Sequence, residues 1–181
     1  MRWIEDGENI TSTTNISLIN EKHRENSIGG ADMRNENKRI RKESDAVKKA
    51  IQDYCMEVIK RFKPSCIILY GSRAKETFTN VSDIDIIVIS NNFEHDFLSR
   101  IGDLIDANTS SLPIEPLGYT ETEFETMLGS CRITALDAVR EGIPLSGEEY
   151  FNDLKKKLAQ LERMGVYKGR SSWHIPAAAM G

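Results

Sequence analysis

Residues 68–90 read ILYGSRAKETFTNVSDIDIIVIS. Two apolar runs flank a polar middle, Gly71-Ser72 follows the first run, and Asp83 and Asp85 stand at the mouth of the second. Both runs are short and apolar at successive positions, the pattern of strands buried on both faces. Side chains two apart on a strand share a face, so Asp83 and Asp85 point the same way, their backbones about 6–7 Å apart. Like charges held so close repel, and their place at the edge of the most apolar segment asks for a reason.

Outward from this pair, Ser44 or Asp45 can cap a helix whose apolar positions are Val47, Ala50, Ile51, Tyr54, Val58, Ile59 and Phe62, with Pro64 ending it. Cys66–Tyr70 and Ile84–Ile89 are the two strands. Phe93, Phe97, Leu98, Ile101, Leu104 and Ile105 mark a second amphipathic helix. Ile114–Tyr119 reads as a third strand, placed at or near a sheet edge by its prolines. Thr120 and Glu123 form a capping-box pair over a helix from Glu121 to Leu128. Further helices are expected over 131–141 and 147–164, with a turn or short strand at PLSG between them. The resulting class is α/β (α+β), a small mixed central sheet flanked by helices.

Residues 1–43 differ from the rest. They are polar, their apolar residues follow no period, and they read as a disordered or weakly ordered N-terminal extension. Met33, just before the basic run RNENKRIRKES, is a candidate start of the native chain. The ordered body divides into 44–145 and a C-terminal helix and tail over 146–181. In the tail, Trp173 and His174 near Arg170 suit docking on the body better than stacking on a base.

The chain has 181 residues, 39% hydrophobic and 29% charged, with net charge -4. This suits one globular domain with a real core, and the acidic balance disfavours nucleic-acid binding by bulk charge. Cys55, Cys66 and Cys131 have neither zinc-site spacing nor an even count, and core positions in a reducing cytoplasm are expected for them. No apolar run is long enough to span a membrane.

The chemistry follows from hard-cation binding. Mg²⁺ is held by one or two carboxylates with phosphate oxygens and water, and two metals about 3.5–4 Å apart can clamp both oxygens of a phosphoryl transfer. Gly71 lets the backbone turn and a ligand approach. A short helix over 72–78 would turn free N–H groups toward phosphate, helped by the Ser72 hydroxyl, Arg73 and Lys75. Ser82 either shapes the metal site or starts the turn.

GSRAKETFTNVSDIDIIV, with Gly-Ser after a strand, about ten residues, then Asp-x-Asp opening the next strand, resembles the signature of the nucleotidyltransferase superfamily related to DNA polymerase beta. The form is especially similar to its minimal prokaryotic members. PIEPLGYTETEF (113–124) resembles the family's strand with the third metal-binding carboxylate, which the resemblance assigns to Glu115. The resemblance covers roughly residues 45–145. It implies a mixed sheet with flanking helices, Mg²⁺ or Mn²⁺ dependence, and transfer of a nucleoside monophosphate from an NTP such as ATP to a hydroxyl of a protein, small molecule or RNA end. Asp83, Asp85 and Glu115 would be the catalytic metal ligands, with Gly71 and Ser72 on the triphosphate. Minimal members commonly act as antitoxins on a partner protein, so a protein partner is expected, and a homo-oligomer is compatible with it.

Two features depart from the family pattern: Glu115 replaces the usual aspartate, and Pro116 follows it. They motivate the rival reading, a catalytically weak module that binds a nucleotide or a partner. A third reading, an RNA-end modifier using the basic segment 34–49, sits poorly with the acidic total. Asp103 and Asp106 are rival third acids, on the second helix.

Overall fold

Ala50, Ile51, Tyr54, Cys55 and Val58 recur at helical spacing and form one buried stripe along helix α1 (Ala31–Phe62). A computed structural model describes residues 31–74, 83–93, 96–170 and 172–179; over 31–44, and at Arg73 and Ala178, it describes the backbone alone. The helix is already formed at Ala31, ahead of the expected start at Ser44 or Asp45. Residues 31–62 contain neither Pro nor Gly and are rich in Glu, Lys and Arg, all good helix formers. Apolar periodicity therefore marks where α1 meets the core, not where it starts. Lys63, at φ 43°, and Pro64 end it.

Strand β1 (Cys66–Leu69) leads to a single turn, α2 (Gly71–Ala74), and β2 (Ile84–Ile89) pairs antiparallel with β1 from Cys66↔Ile89 to Leu69↔Ile86. Helix α3 (Phe97–Asp106) carries the chain across to β3 (Ile114–Tyr119), parallel to β2 from Ile84↔Ile114 to Ile89↔Tyr119. The expectation of a helix from Phe93 is corrected here: Asp96 caps α3, its carboxylate accepting from the N–H groups of Leu98 and Ser99. Helices α4 (Glu121–Gly129) and α5 (Ile133–Glu141) precede β4 (Ile143–Ser146), which pairs antiparallel with β1. PLSG thus contributes to a strand. Helix α6 (Glu148–Arg163) follows. The sheet is mixed, in the order β3-β2-β1-β4. No helix among the described residues is long and apolar enough to cross a membrane.

Strand alternation sends the two apolar sets to opposite faces. Cys66, Ile68, Ile87 and Ile89 meet Phe124, Leu128, Leu136, Val139, Leu154 and Leu158 of α4, α5 and α6. Ile67, Leu69, Ile84, Ile86 and Val88 meet Ile51, Tyr54 and Val58 of α1 and Leu104 of α3. All three cysteines are buried and unpaired.

β3 is an edge strand, as its prolines require. The carbonyl of Pro113 accepts from the Ile84 N–H of β2, and that of Tyr119 from the Ser90 N–H just beyond it. With period two, odd positions face β2 and even ones face outward, so the N–H that Pro116 lacks falls on the open edge. Pro116 is itself buried against the α1–α3 layer.

The tail forms a small hairpin, β5 (Tyr167–Lys168) with β6 (Trp173–His174). It docks on α5. Lys168 pairs with Asp137 and, at 2.7 Å, with Glu141, while the Trp173 indole N–H donates to Asp137 at 2.8 Å. His174 stacks on Tyr167 with centroids 4.9 Å apart. The expected docking of the tail on the body is what the structure holds.

Candidate active site

The acids sit where the sheet's apolar rows run out. On the face covered by α4, α5 and α6, β2 presents Asp85, Ile87 and Ile89, and β3 presents Glu115, Leu117 and Tyr119. Ile87 and Ile89 are fully buried, Asp85 is half-buried, and Asp83 and Glu115 are exposed. Buried side chains of this size stabilise by roughly 1.5–3 kcal/mol each. Ile67, Ile68, Ile84, Ile86, Ile87 and Ile89 all show 0% exposure. Together they contribute on the order of 10 kcal/mol. Two like charges about 6 Å apart cost at most about 3 kcal/mol at an effective dielectric near 20. The anchor outweighs the repulsion, and the strand can carry charge at its open end.

Register brings the rest together. Asp85 is the direct partner of Glu115 in the parallel pair. Neighbouring strands lie about 4.8 Å apart, so the two carboxylates share one row on one face. On the other side, one step past Leu69↔Ile86, Tyr70 stands opposite Asp85, and its N–H donates to the Asp85 carbonyl at 3.0 Å. Tyr70 faces the same layer as Asp85. A row Tyr70–Asp85–Glu115 therefore crosses three strands. The Asp103 and Asp106 rivals lie on α3, which packs on the opposite face.

Gly71 adopts φ +73°, and a Cβ there would stand 2.1 Å from the Asp85 Oδ2. The site thus needs glycine twice, for a left-handed backbone and for room beside the carboxylate. Ser72 follows, half-buried, in α2. The helix expected over 72–78 is the single turn Gly71–Ala74. So short an element offers local N–H groups, not a summed macrodipole. The Arg73 side chain, Lys75 and Ser82 lie outside what the structure describes, as do residues 1–30, His23 and His95.

The row is electrostatically coupled. Burial first, then the charges of Glu115 and Asp83, holds the Asp85 carboxyl above its usual range. Burial first, then Asp85, Tyr119 and Glu115, pushes the Tyr70 phenol up to about 12. Among the described residues, no three acidic, histidine or cysteine side chains converge into a ready-made metal site. The donor set suits a hard cation all the same, since it is all carboxylate oxygen and the charges of Glu115 and Asp83 add to the cost of ionising Asp85. Tyr70 is the member of the row that sequence reading passed over as a strand end. The alternation Cys66, Ile68, Tyr70 carried the signal, but only the β1–β2 register puts it beside Asp85.

Three comparisons bear on this arrangement. No curated protein gives a significant match. One chain of a solved structure, "Crystal structure of the toxin-antitoxin with AMP-PNP", aligns with a TM-score of 0.46 at 19% identity over 62% of this chain and 86% of its own length. That likeness is too loose to carry an argument. The family described as "Polymerase beta, Nucleotidyltransferase" matches residues 49–113, a span that holds Gly71, Ser72, Asp83 and Asp85 and stops two positions short of Glu115. Over residues 49–113, then, this chain is similar to the polymerase beta nucleotidyltransferase family.

Proposed function

We propose that the protein transfers a nucleoside monophosphate from an NTP to a hydroxyl acceptor at the row formed by Asp83, Asp85 and Glu115. The observation that carries this reading is the register pair Asp85↔Glu115 beside Gly71. In the transfer, the acceptor oxygen bonds to the α-phosphorus, the bond to the bridging oxygen breaks, and pyrophosphate leaves with that electron pair. The acceptor's proton passes to a carboxylate of the row or to water. Mg²⁺ or Mn²⁺, held by the three acids, would neutralise the phosphate oxygens. Gly71 leaves space for the triphosphate, and Ser72, with Arg73, Lys75 and Ser82 close in sequence, supplies polar and cationic groups for its oxygens. Such a reaction needs positioning and charge stabilisation more than covalent help from the protein. ATP is a suitable donor, and a partner protein, small molecule or RNA end a suitable acceptor; action as an antitoxin on a protein hydroxyl falls within this chemistry.

A second reading, a module of the same fold that holds a nucleotide or partner without turnover, draws on the exposed Glu115 and the unconverged acids. One assay separates the two. The protein is incubated with α-labelled NTPs and Mg²⁺ or Mn²⁺, alone and with cell extract, beside Asp83→Ala/Asp85→Ala. Label transfer that disappears in the double variant is expected. Metal-dependent NTP binding without transfer to any acceptor would favour the module, and no such binding would end both readings.

A further inference from the structure

Resting on that reading of the site, we propose that Tyr70 is a positioning residue, its ring forming the side wall that keeps the Asp85 carboxylate turned over Gly71 within reach of Glu115. Three observations carry this. Tyr70 is the cross-strand neighbour of Asp85 on the same face, tied to it by the 3.0 Å backbone hydrogen bond. Side chains so paired have Cβ atoms about 4.5–5.5 Å apart, in contact range for a ring. The Asp85 Oδ2 stands 2.1 Å from where a Gly71 Cβ would be, so the carboxylate leans toward the strand that carries Tyr70.

The forces on Asp85 explain why a wall is needed. Glu115, in register on the far side, repels it toward β1. Gly71, which has no Cβ, leaves room there for the carboxylate. The half-buried Tyr70 ring packs against the α4–α6 core on the same face as Asp85, which makes it the wall this proposal calls for. It is bulky and uncharged, so it limits the swing without adding another negative charge to the three acids. The ring, more than the hydroxyl, does this work.

The test compares the full-length protein with Tyr70→Phe, Tyr70→Ala and Tyr70→Leu. Mn²⁺ affinity is read by paramagnetic resonance, label transfer gives kcat and KM, and thermal melting reports folding. Tyr70→Phe is expected to stay within about twofold of the parent in Mn²⁺ affinity and kcat. Tyr70→Ala, or Tyr70→Leu should the alanine variant not fold, is expected to lose roughly tenfold in both, with a smaller change in KM. A folded Tyr70→Ala or Tyr70→Leu with parental Mn²⁺ affinity and kcat overturns the inference, and so does a Phe variant as impaired as Ala. A parent protein that binds no Mn²⁺ overturns the metal reading itself, and with it this inference. Parental binding that the Ala and Leu variants share overturns the inference alone.

Discussion

Asp85 is held above its usual carboxylate range by burial and by Glu115 and Asp83. The folded state therefore binds its proton more tightly than the unfolded state. Ionised Asp85 costs stability at neutral pH, and that cost vanishes as pH falls through its raised pKa toward the ordinary carboxylate range. Without divalent metal at pH 7, Asp85→Asn is expected to raise unfolding free energy by roughly 0.5–1 kcal/mol while abolishing transfer. Denaturant unfolding at pH 7 and at acid pH checks this; the gain must shrink in acid, and an Asn variant less stable at pH 7 would contradict it. Gly71→Ala acts in the opposite sense. The φ of +73° costs a side chain about 1–2 kcal/mol, and its Cβ would displace the Asp85 carboxylate. Both stability and transfer should fall, by the same unfolding and label assays. Asp83, Asp85 and the Gly71-Ser72 turn were legible in sequence because their spacing is local. Tyr70 was not, because its meaning depends on a cross-strand partner fifteen positions away.

Elements with chemical punctuation read well, and those without it read poorly. Thr120 and Glu123 form the capping box over α4 that their spacing foretells, with Thr120 Oγ1 accepting from the Glu123 N–H and Glu123 accepting from the Thr120 N–H at 2.8 Å. Arg100 of α3 pairs with the same Glu123 at 2.6 Å. Thr120→Ala is expected to cost about 1 kcal/mol, a drop of roughly 2–4 °C in melting temperature for a chain of this size, and to leave transfer unchanged. Calorimetry beside the label assay checks both. By contrast, the polar first turns of α1 carry no apolar period that would announce a helix. The tail hairpin was equally silent. Two-residue strands have no readable alternation, and what fixes them is the tertiary contact of Lys168 and Trp173 with Asp137.

At the scale of the molecule, the sheet is a four-strand floor between two helix layers, and the site is the place where one layer stops short. The order β3-β2-β1-β4 puts the strands of the family motif in the middle and the Glu115 strand at an edge. An edge tolerates Pro116, so the departure that raised doubt in sequence is satisfied by topology. The α4–α6 layer buries Ile68, Ile87 and Ile89 but leaves Glu115 exposed. The family match ends at residue 113, before that acid. The proposed transfer therefore turns on Glu115 acting with Asp85. Its most direct test is single-turnover transfer from an α-labelled NTP by Glu115→Gln, which removes the charge and keeps the shape. The expected rate is at least about 100-fold lower, with the melting temperature preserved. Transfer within about twofold of the parent protein, well inside the loss expected for a group that stabilises transition-state charge, would contradict it.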